Sequence, residues 1–399
     1  MGAGHGHDGT EHHYRTPKRI RRYVLAFLVP LVVITLGGMV WLWPGEDLPT
    51  LGGDVEYVSG TILELRPCEP AQPDCVIALA TVDEGPEAGA IASFTMSTGE
   101  GQPNLEPGTA VWLTEMVADG TPTYGFSDVK RVESLFLLAA LFSLSVIVLS
   151  RWKGVAALAG LGSSILILAV FVLPAILLGS NPLAVAAVGA AAIAMASMGL
   201  AHGFNMRTAV ALVGTVFALL LTAVLGVVFT NALSFTGVGT EDAWNLQNSS
   251  LDLAIDFKGL FLAGLVIGAL GVLDDVTVTQ AAAVWEVRRA NPMSSIGELY
   301  AAGMRVGRDH VSATVNTLVL AYIGAAMPLF LILVLTFNRL GQSINSELIA
   351  AEIVRSLVGG LGIISAIPIT TILAAWVLTR THEEISTDGR DDPLEQPTT

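Results

Sequence analysis

"GVLDDVTVTQAAAVWE" (Gly271–Glu286) follows directly on "GLFLAGLVIGAL" (Gly259–Leu270), so one apolar run has a pair of carboxylates set into it. A helix that begins at Gly259 reaches Asp274 after about 15 rises of 1.5 Å, or about 22 Å. The hydrocarbon layer of a bilayer is about 30 Å thick. A helix ended ahead of the aspartates would be too short to cross. Asp274 and Asp275 therefore belong to the inner part of the membrane layer, and the run reads as a membrane-spanning helix.

The rest of the chain fits that reading. Of 399 residues 52% are hydrophobic and 14% are charged, well under the about 25% charge of a soluble domain. The 41 glycines follow no three-residue period, which excludes collagen; they are scattered through apolar runs, as close helix packing in membranes prefers. Runs long enough to span lie at roughly 23–43, 134–150, 155–178, 183–201, 208–231, 259–279, 312–336 and 356–378. The expected fold class is an all-α multipass membrane protein of about eight transmembrane helices. A net charge of −15, with the acid mostly in tails and loops, argues against a nucleic-acid partner.

Short loops give the orientation. Arg15, Lys18, Arg19, Arg21 and Arg22 precede the first run, and Arg151 and Lys153 follow the second. Arg207 lies between the fourth and fifth, Arg288, Arg289, Arg305 and Arg308 between the sixth and seventh, and Arg380 after the eighth. Alternating helices put all of these on one side, which the positive-inside rule makes cytoplasmic. Both termini are then cytoplasmic, in the plasma membrane. The first run is longer than a signal-peptide core and no small-x-small site follows "WLWPGED", so it reads as an uncleaved anchor. Trp41 and Trp43 suit an interfacial aromatic belt.

Residues 46–131 are then extracytoplasmic. "VEYVSGTILEL", "CVIALATV", "AIASFTMST", "GTAVWLTEM" and "TYGFSDVKRV" are short β-branched or alternating stretches broken by Gly, Pro and Asp, a strand-and-turn pattern. About five short strands suit a small inserted β domain, an OB-like barrel. Cys68 and Cys75 bracket "EPAQPD". Outside the cytoplasm such a pair is a candidate disulfide, and a metal site would want histidine, which this segment lacks.

The remaining segments divide as follows: 1–22, a disordered His-rich and basic cytoplasmic tail; 23–43, the anchor; 134–379, a seven-helix transmembrane domain; 380–399, a disordered acidic tail. His5, His7, His12 and His13 make the first of these a candidate for metal buffering, beside the plainer reading of a solvated tail with incidental histidines.

Two readings of the carboxylate pair stay open. In an unbroken helix adjacent residues point about 100° apart, so Asp274 and Asp275 could not easily share one ion. A break at the aspartates, where Asp caps well and Gly268 and Gly271 ease departure from helical geometry, would let both converge. In the seventh run Asn316 and Thr317 lie at a depth matching Asp274, with Tyr322 near the face of Asn316. Asp274, Asp275, Thr279, Gln280, Asn316, Thr317 and Tyr322 form the candidate ion- or proton-coupling cluster, because intramembrane carboxylates are costly enough to make function the default. The competing account makes Asp275 a helix cap, Asp274 a snorkelling side chain, and Asn316 and Thr317 interhelical glue. His202 and His310 lie at inner helix ends and read as interfacial residues. "GLGSS" (160–164) and "GGLG" (359–362) lack a Walker lysine and read as helix contacts. No grouping supports catalysis, so the chain is not expected to be an enzyme, and no cofactor is implied.

"GVLDDVTVTQAAAVWE", "ELYAAGMRVGRDHVSATVNTLVLAYIGAAMP" and "YGFSDVKRVESLFLL" resemble the YibE/F family of bacterial multipass membrane proteins. The resemblance runs from about residue 50 to 378 and is specific at the Asp-Asp pair and at Gly303, Gly307, Arg308, Asp309, Asn316 and Thr317. It implies integral membrane proteins with a small outer domain, presumed to be permeases. The expected function is secondary transport, or assistance to transport, of a small solute or ion coupled to protons or cations. The expected partners are the lipid bilayer and that solute or ion, with a second copy of the chain or another membrane protein as further candidates. The alternative is a membrane scaffold or sensor whose outer domain binds an envelope component or partner protein.

Overall fold

In the computed structural model, residues 18–45, 56–68, 74–99, 101–118, 121–249, 254–335 and 345–388 are described. The histidines of the first tail and the acidic residues after 388 lie outside them. Contacts divide the chain into two units, Pro49–Arg151 and Met1–Leu48 with Trp152–Thr399.

In the unit Pro49–Arg151, strands β1 (Glu56–Pro67), β2 (Cys75–Val82), β3 (Ile91–Ser97), β4 (Ala110–Ala118) and β5 (Thr121–Val129) form one antiparallel sheet in the order β3-β2-β1-β4-β5. They occupy the five stretches whose alternation reads as strand. On β3, Ala92, Phe94 and Met96 are buried while Ser93 and Thr95 are exposed, the period of two that a one-sided sheet imposes. The sheet curls into a half-barrel, because Phe94 on one edge strand stacks on Phe126 of the other with ring centroids 6.0 Å apart. Gly60 permits that curl, since a methyl group there would lie 2.7 Å from Leu113 Cδ1 and 2.9 Å from the Thr81 carbonyl oxygen. A disulfide joins Cys68 to Cys75, Cα atoms 5.5 Å apart, tying the end of β1 to the start of β2. Helix α2 (Val132–Ser150) follows β5.

The larger unit holds α1 (Lys18–Trp41), α3 (Trp152–Ile167), α4 (Leu173–Leu177), α5 (Pro182–His202), α6 (Met206–Ala232), α7 (Glu241–Gln247), α8 (Phe257–Ala290), α9 (Ile296–Ala325), α10 (Met327–Leu335) and α11 (Glu347–Asp388). A π-helical turn, Leu168–Val172, joins α3 to α4, just ahead of Pro174, which has no N–H to continue the helix. Sequence sets the ends of the others. Asn181 caps α5 through the Ala184 N–H with Pro182 at the first turn, and Asn205 caps α6 through the Thr208 N–H. Ser295 and Glu298 form a capping box at α9, satisfying donors a helix start leaves orphaned.

Among the described residues, seven helices are long and apolar enough to cross a membrane: Arg21–Trp41, Val132–Ser150, Trp152–Leu177, Pro182–His202, Met206–Ala232, Phe257–Ala290 and Glu347–Arg380. The remaining expected run, 312–336, is divided between α9 and α10 at Ala326. Pro328 accounts for the division, because it cannot donate to the Gly324 carbonyl and its ring crowds that oxygen.

Glycines bring the helix backbones together. A methyl group at Gly214 of α6 would lie 2.3 Å from Thr370 Oγ1 of α11, and one at Gly362 of α11 would lie 2.3 Å from Thr222 Oγ1 of α6. The two contacts are reciprocal and eight residues apart on each antiparallel helix. On α9, methyl groups at Gly303 and Gly307 would lie 2.7 Å from Thr371 Cγ2 and 2.4 Å from Ile367 Cγ2. This is the small-xxx-small packing of membrane helices. Buried Leu273, Val276, Ile363, Ala366 and Ile367 fill the space between.

Candidate functional site

Helix α8 contains no proline and runs unbroken through the aspartates for 34 residues, Phe257–Ala290, about 51 Å at 1.5 Å per residue. Of the two geometries open to the sequence, the continuous one holds. The carboxylates therefore diverge.

Asp274 is half-buried, and its Oδ2 accepts a hydrogen bond from Ser197 Oγ of α5 at 2.8 Å. Ser197 is itself pressed by α3, where a methyl group at Gly160 would lie 3.3 Å from the Ser197 Cα. About 100° around the helix, Asp275 is exposed. It shares one face with Gly264, Gly268, Gly271 and Thr279, all exposed, at the four- and three-residue spacing that lines up positions on a helix. The face is a glycine-lined trough with a carboxylate in it.

Inward of Asp274, Thr277 Oγ1 lies 2.6 Å from Thr215 Oγ1 of α6 and donates to the Leu273 carbonyl at 2.9 Å. One turn further, Gln280 is 1% exposed. Its Nε2 donates to the Gly303 carbonyl of α9 at 2.9 Å and to Thr371 Oγ1 of α11 at 2.7 Å. The missing side chains of Gly303 and Gly307 leave room for it: a methyl group at Gly307 would lie 3.0 Å from Gln280 Oε1.

The expected residues on α9 are arranged differently. Asn316 and Thr317 are exposed, and the Thr317 hydroxyl donates to the Ala313 carbonyl of its own helix at 3.0 Å. Tyr322 is half-buried and turns back to α8, its hydroxyl 3.0 Å from where a methyl group at Gly268 would stand. Helices α8 and α9 thus meet at Gln280–Gly303 and again at Gly268–Tyr322. Asp275 and Thr279 on α8, and Asn316 and Thr317 on α9, fall in the interval between those meetings. So Asp274 and Gln280 are held in the core, by Ser197 and by Gly303 with Thr371, while Asp275, Thr279, Asn316 and Thr317 sit on open faces.

His202 is exposed at the end of α5 and His310 half-buried on α9. Among the described residues no three His, Cys, Asp or Glu side chains cluster as a metal site requires.

Sequence reasoning missed Ser197, Thr215, Thr277 and Thr371. A signal existed for one of them: Thr208, Thr215 and Thr222 recur every seven residues in the apolar run of α6, and all three are buried. Ser197 carried no signal beyond being a small polar residue in an apolar run.

Apolar helices of spanning length, with a carboxylate held between two of them, define an integral membrane protein of several crossings. Residues 138–380, well over half of the 399, match the model of a family described as YibE/F-like protein. The chain belongs to that family. The matched segment holds the aspartates and the Gly303–Thr317 region and leaves out the sheet, so it is narrower than the resemblance read from the sequence. No curated protein and no solved structure matches the chain.

Proposed function

We propose that this protein moves a small solute or ion across the plasma membrane, coupled to protons or cations through Asp274 and Asp275. The observation that carries the proposal is the divergence of the two carboxylates on one unbroken helix. One is tethered to Ser197 in the helix core, and its neighbour stands on an open, glycine-lined face. A charged side chain at membrane depth costs about 2.5–3.5 kcal/mol on insertion scales, a penalty that sequences keep where chemistry needs the group. Asp275 is the group a solvated ion or proton meets first, and Asp274 the one that holds it. Thr279, Asn316, Thr317 and Tyr322 are the polar groups beside that route, and Gln280 fixes the helices that frame it.

The proposal carries its setting with it: both termini cytoplasmic, residues 46–131 outside as an OB-like barrel, and α9 with α10 completing an eighth crossing. The test is flux in proteoliposomes against a panel of ions and small solutes. Asp274→Asn and Asp275→Asn keep shape and most hydrogen bonding but can neither release a proton nor attract a cation as well. At least one is expected to insert normally and lose or uncouple flux, with Asn316→Ala less impaired. Full flux with unchanged pH dependence in both aspartate variants would overturn the coupling role.

A second reading, a scaffold or sensor acting through the sheet unit, draws on the exposed Tyr57, Ile91 and Met116 there. It predicts that both aspartate variants keep all function while Ile91→Asp abolishes it.

A further inference from the structure

A cavity of about 600 Å³ opens between α1, the end of α5 and the start of α6. It is independent of the aspartates, and its volume falls in the range of about 300–1,000 Å³ that small-molecule sites occupy. Its polar groups gather at one end. Arg21 of α1, Asn205 in the turn before α6 and Thr208 in the first turn of α6 line that end, and Leu28, Val32 and Met195 line the rest. Along α1 the lining runs from Arg21 to Val33, about 18 Å at 1.5 Å per residue.

Two observations say what such a cavity takes. Thr208 is 6% exposed, and its Oγ1 has no hydrogen-bond partner among the described residues. Buried hydroxyls are nearly always paired, so this one is an unused donor and acceptor, buried just behind the polar end of the cavity that Thr208 lines. Arg21 stands at that same end in the run "KRIRR" (Lys18–Arg22). A basic cluster at the cytoplasmic end of a membrane helix attracts anionic headgroups. The apolar remainder faces outward along α1, where Val29 and Val33 are exposed.

We propose that this cavity is a binding site for an anionic glycerophospholipid. One acyl chain lies along Leu28, Val32 and Met195, the phosphate pairs with Arg21, and the glycerol ester region lies over Asn205 and Thr208, whose hydroxyl a rotation about its side-chain bond would turn toward it. A neutral apolar molecule would leave Arg21 and Thr208 unused. A soluble anion would leave the apolar length empty.

The test is native mass spectrometry of the purified full-length chain in detergent, titrated separately with phosphatidylglycerol and phosphatidylcholine. The wild type is expected to retain one phosphatidylglycerol in preference to phosphatidylcholine. Arg21→Gln is expected to weaken phosphatidylglycerol retention about fivefold, the worth of one basic residue near an anionic lipid surface, and to leave phosphatidylcholine unchanged. Ala209→Phe, which fills the cavity wall, is expected to weaken both, with an unchanged thermal midpoint showing that the bundle is intact. If Ala209→Phe fails to fold, the Arg21→Gln comparison decides alone. Equal retention of the two lipids by the wild type, or phosphatidylglycerol retention unaffected by Arg21→Gln, rejects the proposal; so does a dimer that excludes lipid from the cavity.

Discussion

Ser197 Oγ of α5 donates to Asp274 Oδ2 of α8 across 2.8 Å, in a segment where both helices are apolar on either side. The hydroxyl is the side-chain donor that the neighbouring helix offers Asp274, and its removal leaves a half-buried carboxylate without it. Ser197→Ala is expected to cost about 1–3 kcal/mol, the usual penalty for leaving one buried partner unsatisfied. Thermal unfolding in detergent reads it. In an Asp274→Asn background, where the amide oxygen still accepts but carries no charge, the same change should cost less, and equal costs in both backgrounds would show that the charge adds nothing to the bond.

Gln280 is a second such point. Its amide holds the Gly303 carbonyl and Thr371 Oγ1 together, so Gln280→Leu strips both acceptors of a donor at nearly constant volume. A loss of about 1–3 kcal/mol is expected. Gln280→Glu should be worse, because it puts an unpaired carboxylate in the same place. A thermal midpoint that ranks Glu above Leu contradicts this.

Gly307→Ala tests the close approach of α9 to α11. The added methyl meets Ile367 Cγ2 at 2.4 Å, an overpacking expected to cost about 1–3 kcal/mol. Ile367→Ala removes the opposing atom. The double variant should therefore be more stable than the sum of the two single losses, a coupling visible in a double-mutant cycle. Simple additivity would mean the helices part instead.

The start of α9 should loosen in acid. The Ser295 backbone N–H and hydroxyl both reach Glu298 and hold its carboxyl below the usual carboxylate range, the backbone bond being the larger cause. A folded-state value depressed in this way contributes stability that is present above the ordinary value and is lost as pH falls through the folded one. Amide protection in the first turn of α9, corrected for intrinsic exchange, should fall as pH is lowered from 6 to about 3. Glu298→Gln should flatten that dependence, and an unchanged profile would remove the carboxylate from the account.

Orientation is open to labelling. Ser97 is exposed on β3 and Met293 in the turn before α9, while Cys68 and Cys75 are tied to each other. Ser97→Cys should react with an impermeant maleimide in intact cells and Met293→Cys should not. The opposite pattern inverts the topology.

Several of these elements were legible in the sequence because they obey a period. The alternation of "AIASFTMST" located β3, and length with apolarity located α5, α6 and α8. Pro328, plain in the sequence, was passed over when 312–336 was read as one run, and the helix divides just ahead of it. Rise per residue gives distance along a helix, which is how Asp274 and Asn316 came to be set side by side. Which way a residue faces depends on the packing of neighbours that no single segment contains. That is why Asn316 was expected to reach Asp274, when Ser197, 77 positions earlier, does so.

The reciprocal contacts of Gly214 with Thr370 and of Gly362 with Thr222 have one more consequence. Sliding α6 along α11 by a single residue would bring a β-carbon to the place each glycine leaves empty. The two helices are therefore interlocked as a rigid frame, and α8, bonded to both through Thr215 and Thr371, is keyed into it. Under the proposed transport role, a path past Asp275 would open against that frame rather than within it. On that side α9 leaves Asn316 and Thr317 exposed before it ends ahead of α10.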